Sequence, residues 1–149
     1  MKYQIRTAVP SDIAEIIQLC AEHSEYEKAH YEPMGKAEKL AKMLFCENPK
    51  LHCLIAESST GILGYASFSH ECSTWDADYY THMDCLFLRE QYRGFGIGEA
   101  LVNEVVIQSK LNNAHHIEWQ TPVFNERGIK FYNRIGATSK EKQRFTLTL

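Results

Sequence analysis

The sequence predicts a mixed α/β fold, with about four helices and six strands in a single domain spanning residues 1–149. Three observations indicate this fold class. The length of 149 residues is that of one ordinary domain. Hydrophobic residues make up 44% and charged residues 23% of the chain, a proportion typical of a packed globular core. Short β-rich runs alternate along the chain with segments in which apolar residues recur at helical spacing.

The first half of the chain reads as a strand, two helices and a hairpin. Residues 3–6 are a predicted strand, and Pro10 suits the first turn of the helix that follows. A second helix is expected over residues 36–46. Residues 51–57 and 62–70 are β-rich and are separated by a short turn that contains a glycine. These two runs are therefore expected to pair as an antiparallel hairpin.

The second half continues the alternation after a turn-rich interval over residues 71–78. Residues 80–88 become mostly apolar towards their end, which indicates a strand that is covered on both faces and lies in the middle of the sheet. Gly136 suits the position that ends a helix, because glycine adopts positive φ at low cost. The remaining predicted elements are a helix over 98–110, a strand over 116–121, a helix over 127–135 and a strand over 144–149.

Charge and hydropathy argue against several classes of partner. Sixteen basic and nineteen acidic residues give a formal net charge of −3, which disfavours a domain built to neutralise the phosphates of a nucleic acid. No apolar run approaches the roughly 20 residues that span a bilayer, and the N-terminal residues lack the apolar stretch of a signal peptide. The sequence predicts a soluble, cytoplasmic protein without nucleic-acid or membrane partners.

The cysteines and histidines predict neither a disulfide nor a metal site. The five cysteines are an odd count without a C-x-x-C pair, which fits reduced thiols. His115 and His116 are neighbours that would point to opposite sides of a strand, and no partner at metal-ligand spacing accompanies them. We expect no disulfide and no metal.

The glycine-rich segment 92–98, Tyr-Arg-Gly-Phe-Gly-Ile-Gly, carries the strongest functional signal. It lies between a predicted buried strand and a predicted helix, so its bare N–H groups can face an anion at a helix N-terminus. A nucleotide-hydrolysing loop is disfavoured, because Gly98 is followed by Glu99 and Ala100 instead of Lys and Ser or Thr. A dinucleotide fingerprint is also disfavoured, since the glycines are spaced G-x-G-x-G and lie late in the chain.

The pattern Arg93-x-x-Gly96-x-Gly98 resembles the signature of the GNAT acetyltransferase superfamily, and the resemblance covers nearly the whole chain. The opening segment IRTAVPSD and the late segment PVFNERGIKFYNRIGA are similar to the family's beginning and its last helix. The pieces SEYE, MDCLFLREQYRGFGIG and NERGIKFYNRIGA most resemble diamine (spermidine/spermine) N-acetyltransferases and their bacterial relatives, including those that act on thialysine. The resemblance implies a GNAT fold, with a mixed, mostly antiparallel sheet of six to seven strands that splays between its fourth and fifth strands.

The resemblance also implies where acetyl-CoA would bind. The strand through residues 84–88 and the strand through 117–121 would part, and the co-substrate would lie between them. Loop N–H groups would hold the pyrophosphate, and strand backbone would pair with the pantetheine amides. Asn125 resembles a family asparagine that touches the cofactor, although a helix cap is equally expected there. The implied cofactor-binding residues are Leu86, Leu88, Arg93, Gly94, Phe95, Gly96, Ile97, Gly98 and Asn125.

Two residues are implied to move protons. Tyr132 matches the family's general-acid tyrosine, and a phenol of pKa near 10 can protonate the departing sulfur at pH 7. The alternative interpretation of Tyr132 is an ordinary packed aromatic side chain without a catalytic role. Asp84 aligns with a glutamate of the diamine enzymes but is one methylene shorter, so we expect a bridging water, with a purely structural carboxylate as the alternative. Cys85 is interpreted as structural, because neighbouring strand residues point to opposite faces.

The predicted acceptor wall is acidic and aromatic. Tyr26 and Glu27, with Trp75 and Asp84, are expected to contact a cationic amine, and a solvated charge run is the alternative. The expected activity is acetyl-CoA-dependent acetylation of a small primary amine. A protein N-terminus or lysine, an aminoglycoside, and a non-catalytic acyl-CoA-binding sensor stay open as alternatives. Because GNAT relatives commonly pair through late strands, residues 144–149 predict a homodimer.

Overall fold

The fold is taken from a computed structural model that describes residues 1–149. Short 3₁₀ turns at Pro10–Asp12 and Glu90–Tyr92 supplement five strands and four α-helices. In chain order the elements are β1 (Gln4–Thr7), α1 (Ile13–Tyr26), α2 (Lys36–Leu44), β2 (Leu51–Ser58), β3 (Gly61–Ser73), β4 (Asp78–Leu88), α3 (Ile97–Leu111), β5 (Ile117–Glu118) and α4 (Glu126–Arg134).

The strands form one mixed, mostly antiparallel sheet in the order β1-β2-β3-β4-β5. The β2–β3 hairpin is present as predicted, and Gly61 turns it with a φ of +117°. Only the β4–β5 pair is parallel. The sheet has five strands instead of six to seven, and β3 lies in its middle instead of β4. β3 is central because it pairs along its length with both β2 and β4.

Each face of the sheet is covered by helices, which explains the nearly continuous apolar runs in β2 and β3. On one face, α3 contributes Leu101 and Val105, both fully buried, to a core cluster. On the other face, α1 contributes Ile16 and Leu19 to a second cluster. Burying an aliphatic side chain of this size contributes about 1.5–3 kcal/mol. Residues of β4 pack in both clusters, whereas Ile117 of β5 packs against the first cluster only.

A β-bulge interrupts β4 at Asp84. Ser67 of β3 pairs with Cys85 and Phe68 pairs with Met83, so Asp84 has no partner in the ladder. Met83 accordingly packs in the cluster beneath α3, whereas Cys85 packs against the opposite cluster. Strict alternation would have placed both residues on one face. The bulge therefore changes the direction of the side chains that follow it, which is the usual effect of an extra residue in one strand.

Three sequence predictions about element length are wrong. Residues 144–149 form no strand, because no strand of the sheet lies beside them, and Phe145 and Leu147 are 88% and 87% exposed. β5 has two residues instead of the predicted six, since it meets β4 only at Thr81 and His82. The interval 71–78 contains only a short turn, because β3 and β4 continue their pairing to Ser73 and Asp78.

Candidate active site

A cleft opens where β4 and β5 part. The parallel pairing ends after His82, so the β4 backbone beyond it has no neighbouring strand on that side. The cleft has a volume of about 480 Å³ and is lined by Leu86 and Leu88 of β4 and by Trp119 just after β5. Residues of α1, of the glycine loop and of α4 form its other walls. This arrangement agrees with the splay that the sequence resemblance implied.

The glycine loop enters α3 with two residues in the left-handed region. Gly94 has a φ of +90° and Gly96 a φ of +78°, and open space surrounds the position of a Cβ at both. Gly96 is the N-cap residue of α3, so the unpaired N–H groups of the first helical turn face the loop. Arg93 Nε donates to the Leu88 carbonyl oxygen at 2.8 Å, which ties the loop to the end of β4. Such a terminus favours a negatively charged ligand.

The guanidinium of Arg93 lies over an aromatic wall. It stacks 4.6 Å from the Tyr26 ring centroid and 5.6 Å from that of Phe87. Both Tyr26 and Arg93 line the cleft. Arg93 therefore brings a positive charge to the boundary between the glycine loop and α1.

Asn125 is the N-cap of α4, as its alternative interpretation predicted. Its Oδ1 accepts hydrogen bonds from the Gly128 N–H at 3.1 Å and from the Tyr26 hydroxyl at 2.7 Å. Its Nδ2 donates to Thr121 Oγ1 at 2.8 Å. The same side chain also lines the cleft. Asn125 thus caps a helix and joins α1 to α4 across the opening.

Tyr132 of α4 presents a phenol to the cleft. Its ring packs edge-to-face against Trp119, with centroids 5.2 Å apart, and lies beside Phe131. Burial raises the pKa of Tyr132 to about 12, and the negative charge of Glu27 adds to the effect. Tyr132 therefore keeps its proton throughout the neutral range and is available as a donor.

Asp84 lies at the bulge with its side chain 59% exposed. The Cys85 thiol donates to Asp84 Oδ2 at 3.6 Å, and His82 Nε2 lies 3.9 Å from Oδ1. Asp84 and Cys85 are thus side by side, so the argument that they point to opposite faces is wrong. Burial raises the pKa of the Cys85 thiol to about 12. Cys85 is consequently protonated at neutral pH and is a poor nucleophile.

The structure brings together part of the predicted acceptor wall. Tyr26, Glu27 and Asp84 all line the cleft. Trp75 does not; it lies in the turn between β3 and β4 with 95% of its surface exposed. The turn is held by Asp76, whose Oδ2 accepts from Ser73 Oγ at 3.0 Å. Trp75 is therefore displaced from the site, because the β3–β4 hairpin projects it away from the helices.

Sequence reasoning missed several cleft residues. His23 lines the cleft one helical turn before Tyr26 and Glu27, and this i, i+3, i+4 spacing is the signal that could have identified it. Trp119 was assigned only to a strand, although it follows β5 directly and faces Tyr132.

A second cavity adjoins the cleft. It has a volume of about 560 Å³ and shares Tyr26, Asn125 and Arg127 with the cleft. Its other lining residues are Lys28, Phe124, Glu126 and Lys130. The Lys28 ammonium lies 4.6 Å from the centroid of the Phe124 ring. The cavity is positively charged on balance.

No group of three or more His, Cys, Asp or Glu side chains is arranged to hold a metal ion. No helix combines the length and the apolar character needed to cross a membrane.

Comparisons with known proteins address the family directly. Residues 12–137 match the family model described as Acetyltransferase (GNAT) family. The chain is 28% identical over 142 residues to the thialysine N-epsilon-acetyltransferase of Mus musculus, covering 90% of this chain and 83% of that protein. It is 26% identical over 145 residues to the human spermidine/spermine N(1)-acetyltransferase-like protein 1, covering 91% of this chain but 20% of that longer protein.

A solved structure supports the same fold. The ribosomal-protein-alanine N-acetyltransferase from Brucella melitensis biovar Abortus 2308 superposes with a TM-score of 0.80 at 18% identity, over 99% of this chain and 100% of that chain. At this identity the similarity concerns the fold. Together with the family match over most of the sequence and the parted strands beside a glycine loop, it leads to one conclusion. The chain belongs to the GNAT family and is an N-acetyltransferase.

Proposed function

We propose that this chain, acting as one domain over residues 1–149, transfers the acetyl group of acetyl-CoA directly to a small primary amine. The acceptor would be a polyamine, a diamine or an amino-acid-like amine. The observation that carries the proposal is the position of Tyr132 and Asp84 in one cleft with the glycine loop. The names of the relatives, which concern thialysine and spermidine or spermine, favour this substrate class.

The residues around the cleft fit acetyl-CoA. N–H groups from Arg93, Gly94, Phe95, Gly96, Ile97 and Gly98 would hold the pyrophosphate, because the loop opens an α-helix and its glycines leave the backbone uncovered. The backbone at Leu86 and Leu88 would pair with the pantetheine amides, since β4 has no strand neighbour there. Asn125 would contact the bound co-substrate from the start of α4.

Acetyl transfer from a thioester to an alkyl ammonium must remove two protons from nitrogen and deliver one to sulfur. Asp84 would accept the first, directly or through a water, and release it to solvent; its exposure favours that exchange. Attack by the free amine forms the C–N bond and breaks the C–S bond. Tyr132 would protonate the departing thiolate and recover a proton from the nitrogen, so it ends the cycle as a phenol.

Other acceptors and a non-catalytic role are less well supported. Tyr26 and Asn125 hydrogen-bond to each other across the opening of the cleft, and this would narrow the approach for a protein N-terminus or lysine or a bulky aminoglycoside more than for a small amine. A sensor that only binds acyl-CoA needs neither a protonated phenol nor a carboxylate at the reacting end. Both are present in Tyr132 and Asp84.

A panel of amines with acetyl-CoA and detection of free thiol tests the proposal. Tyr132→Phe should slow the chemical step by about 10²- to 10⁴-fold in single-turnover experiments, while the affinity for acetyl-CoA stays within about twofold. Tyr79→Phe is the matched control, because Tyr79 is 57% exposed on β4 and does not line the cleft. An unchanged chemical step in Tyr132→Phe would show that this residue is only a packed aromatic.

A further inference from the structure

His23 is a half-buried imidazole that the proposed reaction does not yet use. Its side chain is 14% exposed and stacks on Phe87, with ring centroids 5.1 Å apart and planes 20° from parallel. Its Nδ1 lies 3.2 Å from the Tyr65 hydroxyl, and its Nε2 lies 3.2 Å from Glu27 Oε1. Both ring nitrogens therefore have partners, and the ring is held in one orientation.

The partners determine which nitrogen carries the proton. An ionised Glu27 carboxylate can only accept, so Nε2 carries the hydrogen. Nδ1 then accepts the Tyr65 O–H, and the Tyr65 oxygen accepts the Cys20 thiol at 3.5 Å. Burial lowers the pKa of His23, which favours the neutral ring. The chain of donors runs in one direction, from Cys20 to Glu27.

Glu27 is the acidic member of this chain and lines the cleft together with His23. It is the C-cap residue of α1, and its side chain is 33% exposed. The Glu27 carboxylate is close enough to Tyr132 to contribute, after burial, to the raised pKa of that phenol. Glu27 and Tyr132 both line the cleft in which the amine would attack the thioester.

Resting on the proposed function and on the contact with a cationic amine that the sequence predicts for Glu27, we propose that His23 is the positioning residue that holds the Glu27 carboxylate in the cleft. A glutamate at the end of a helix has several rotamers, and an acceptor that must order it binds more weakly. The rigid imidazole orders it before the amine arrives. Hydrogen bonding by a neutral ring also leaves the carboxylate its full negative charge.

The arrangement makes acceptor binding sensitive to pH. A protonated His23 would form an ion pair with Glu27 and reduce the attraction for a cation. The titratable and charged groups around His23 are Glu27 of α1, Tyr65 of β3, Asp84 of β4 and Arg93 of the glycine loop. Cys20 and Cys85 lie beyond them, against the Tyr65 hydroxyl. Glu27 and Asp84 favour the protonated ring, whereas burial and Arg93 oppose it.

Three variants separate positioning from packing. His23→Phe keeps a ring to stack on Phe87 but removes the donor to Glu27. His23→Gln restores an N–H donor near the place of Nε2. Glu27→Gln removes the charge. We expect His23→Phe to raise the KM for a diamine by about tenfold or more, the range for a hydrogen bond to a charged group, with kcat and the acetyl-CoA affinity within about twofold.

The double variant and the pH profile make the test specific. His23→Gln should recover most of the amine affinity. His23→Phe should not raise the amine KM further in a Glu27→Gln background, because both changes remove the same interaction. The rise in amine KM at acidic pH should begin at a lower pH in His23→Gln, because no imidazole then gains a proton beside Glu27. Unchanged amine KM in His23→Phe, or effects of His23→Phe and Glu27→Gln that multiply, would overturn the proposal.

A measurement without turnover distinguishes this proposal from the proposed function. The His23 imidazole resonances are followed by NMR while spermidine is added to the protein saturated with CoA. A shift in the wild-type protein that is lost in Glu27→Gln supports the positioning role even if no amine in the panel is acetylated. Resonances that stay unchanged at saturating spermidine would overturn the role, whether or not acetyl transfer is observed.

Discussion

Replacing Gly96 by alanine should weaken acetyl-CoA binding through backbone strain alone. Gly96 has φ +78° and ψ −2° at the N-cap of α3, and nothing lies within 4 Å of the position of a Cβ. A steric clash is therefore absent, and the cost is that of holding an L-residue in the left-handed region. That cost is roughly 1–2 kcal/mol, which corresponds to about a 5- to 30-fold loss of affinity.

Gly35→Ala is a closely matched control. Gly35 is the N-cap of α2 with φ +73° and ψ −3°, and its Cβ position is equally open. Both variants carry the same local strain, but only Gly96 lies in the loop at the cleft. Isothermal calorimetry with acetyl-CoA should therefore detect a larger Kd in Gly96→Ala and an unchanged Kd in Gly35→Ala.

The strain can also appear as lost stability if the loop keeps its conformation in the free protein. Thermal denaturation of both variants measures the strain that appears as lost stability. The losses in free energy of unfolding and of binding should together reach the same roughly 1–2 kcal/mol. Equal Kd values for the two variants, with a smaller loss of stability in Gly96→Ala than in Gly35→Ala, would refute the assignment of this loop as the pyrophosphate site. An unchanged Kd together with unchanged stability in Gly96→Ala would refute the strain argument itself.

Three further outcomes are expected. Gly64→Ala should destabilise the fold by about 1–3 kcal/mol, because a Cβ there would lie 2.3 Å from the Phe87 carbonyl oxygen; an unchanged urea midpoint would contradict this. Hydrogen bonds from Arg6 hold the pKa of Asp12 below its ordinary value, so its stabilising contribution is complete above about pH 4 and is lost as the pH falls below that. Asp12→Asn should therefore flatten the fall of the melting temperature at acidic pH, and an unchanged slope of melting temperature against pH would contradict this prediction. We also expect a homodimer that pairs through residues 144–149, which Leu147→Asp should dissociate in sedimentation; a concentration-independent mass of 17.2 kDa for the wild type would exclude it.

The helices were predictable because their signals are local. The predicted α2 and α3 begin within one residue of the observed Lys36 and Ile97, and Gly136 ends the last helix with a φ of +90° as expected. Apolar spacing, capping residues and glycines act over a few positions and read directly from the chain. The glycine loop was identified for the same reason, since its signature lies within seven consecutive residues.

The arrangement of the site depended on contacts between distant residues. The bulge at Asp84 arises from the way β4 pairs with β3, and no sequence pattern within β4 predicts it. The orientation of His23 towards Glu27 depends on Tyr65 of β3 and Phe87 of β4, which contact the His23 ring. Trp75 looked like part of the acceptor wall but projects from a hairpin tip.

The sequence by itself determined the fold class, the family resemblance, the loop that suits a phosphate and the identity of Tyr132 as a candidate donor. Only the tertiary structure decided that β5 is two residues long, that residues 144–149 pair with no strand of the chain, and which side chains share the cleft. The physical reason is that strand pairing and side-chain hydrogen bonds join residues far apart in the chain. The free energy of such contacts depends on geometry that local composition does not contain.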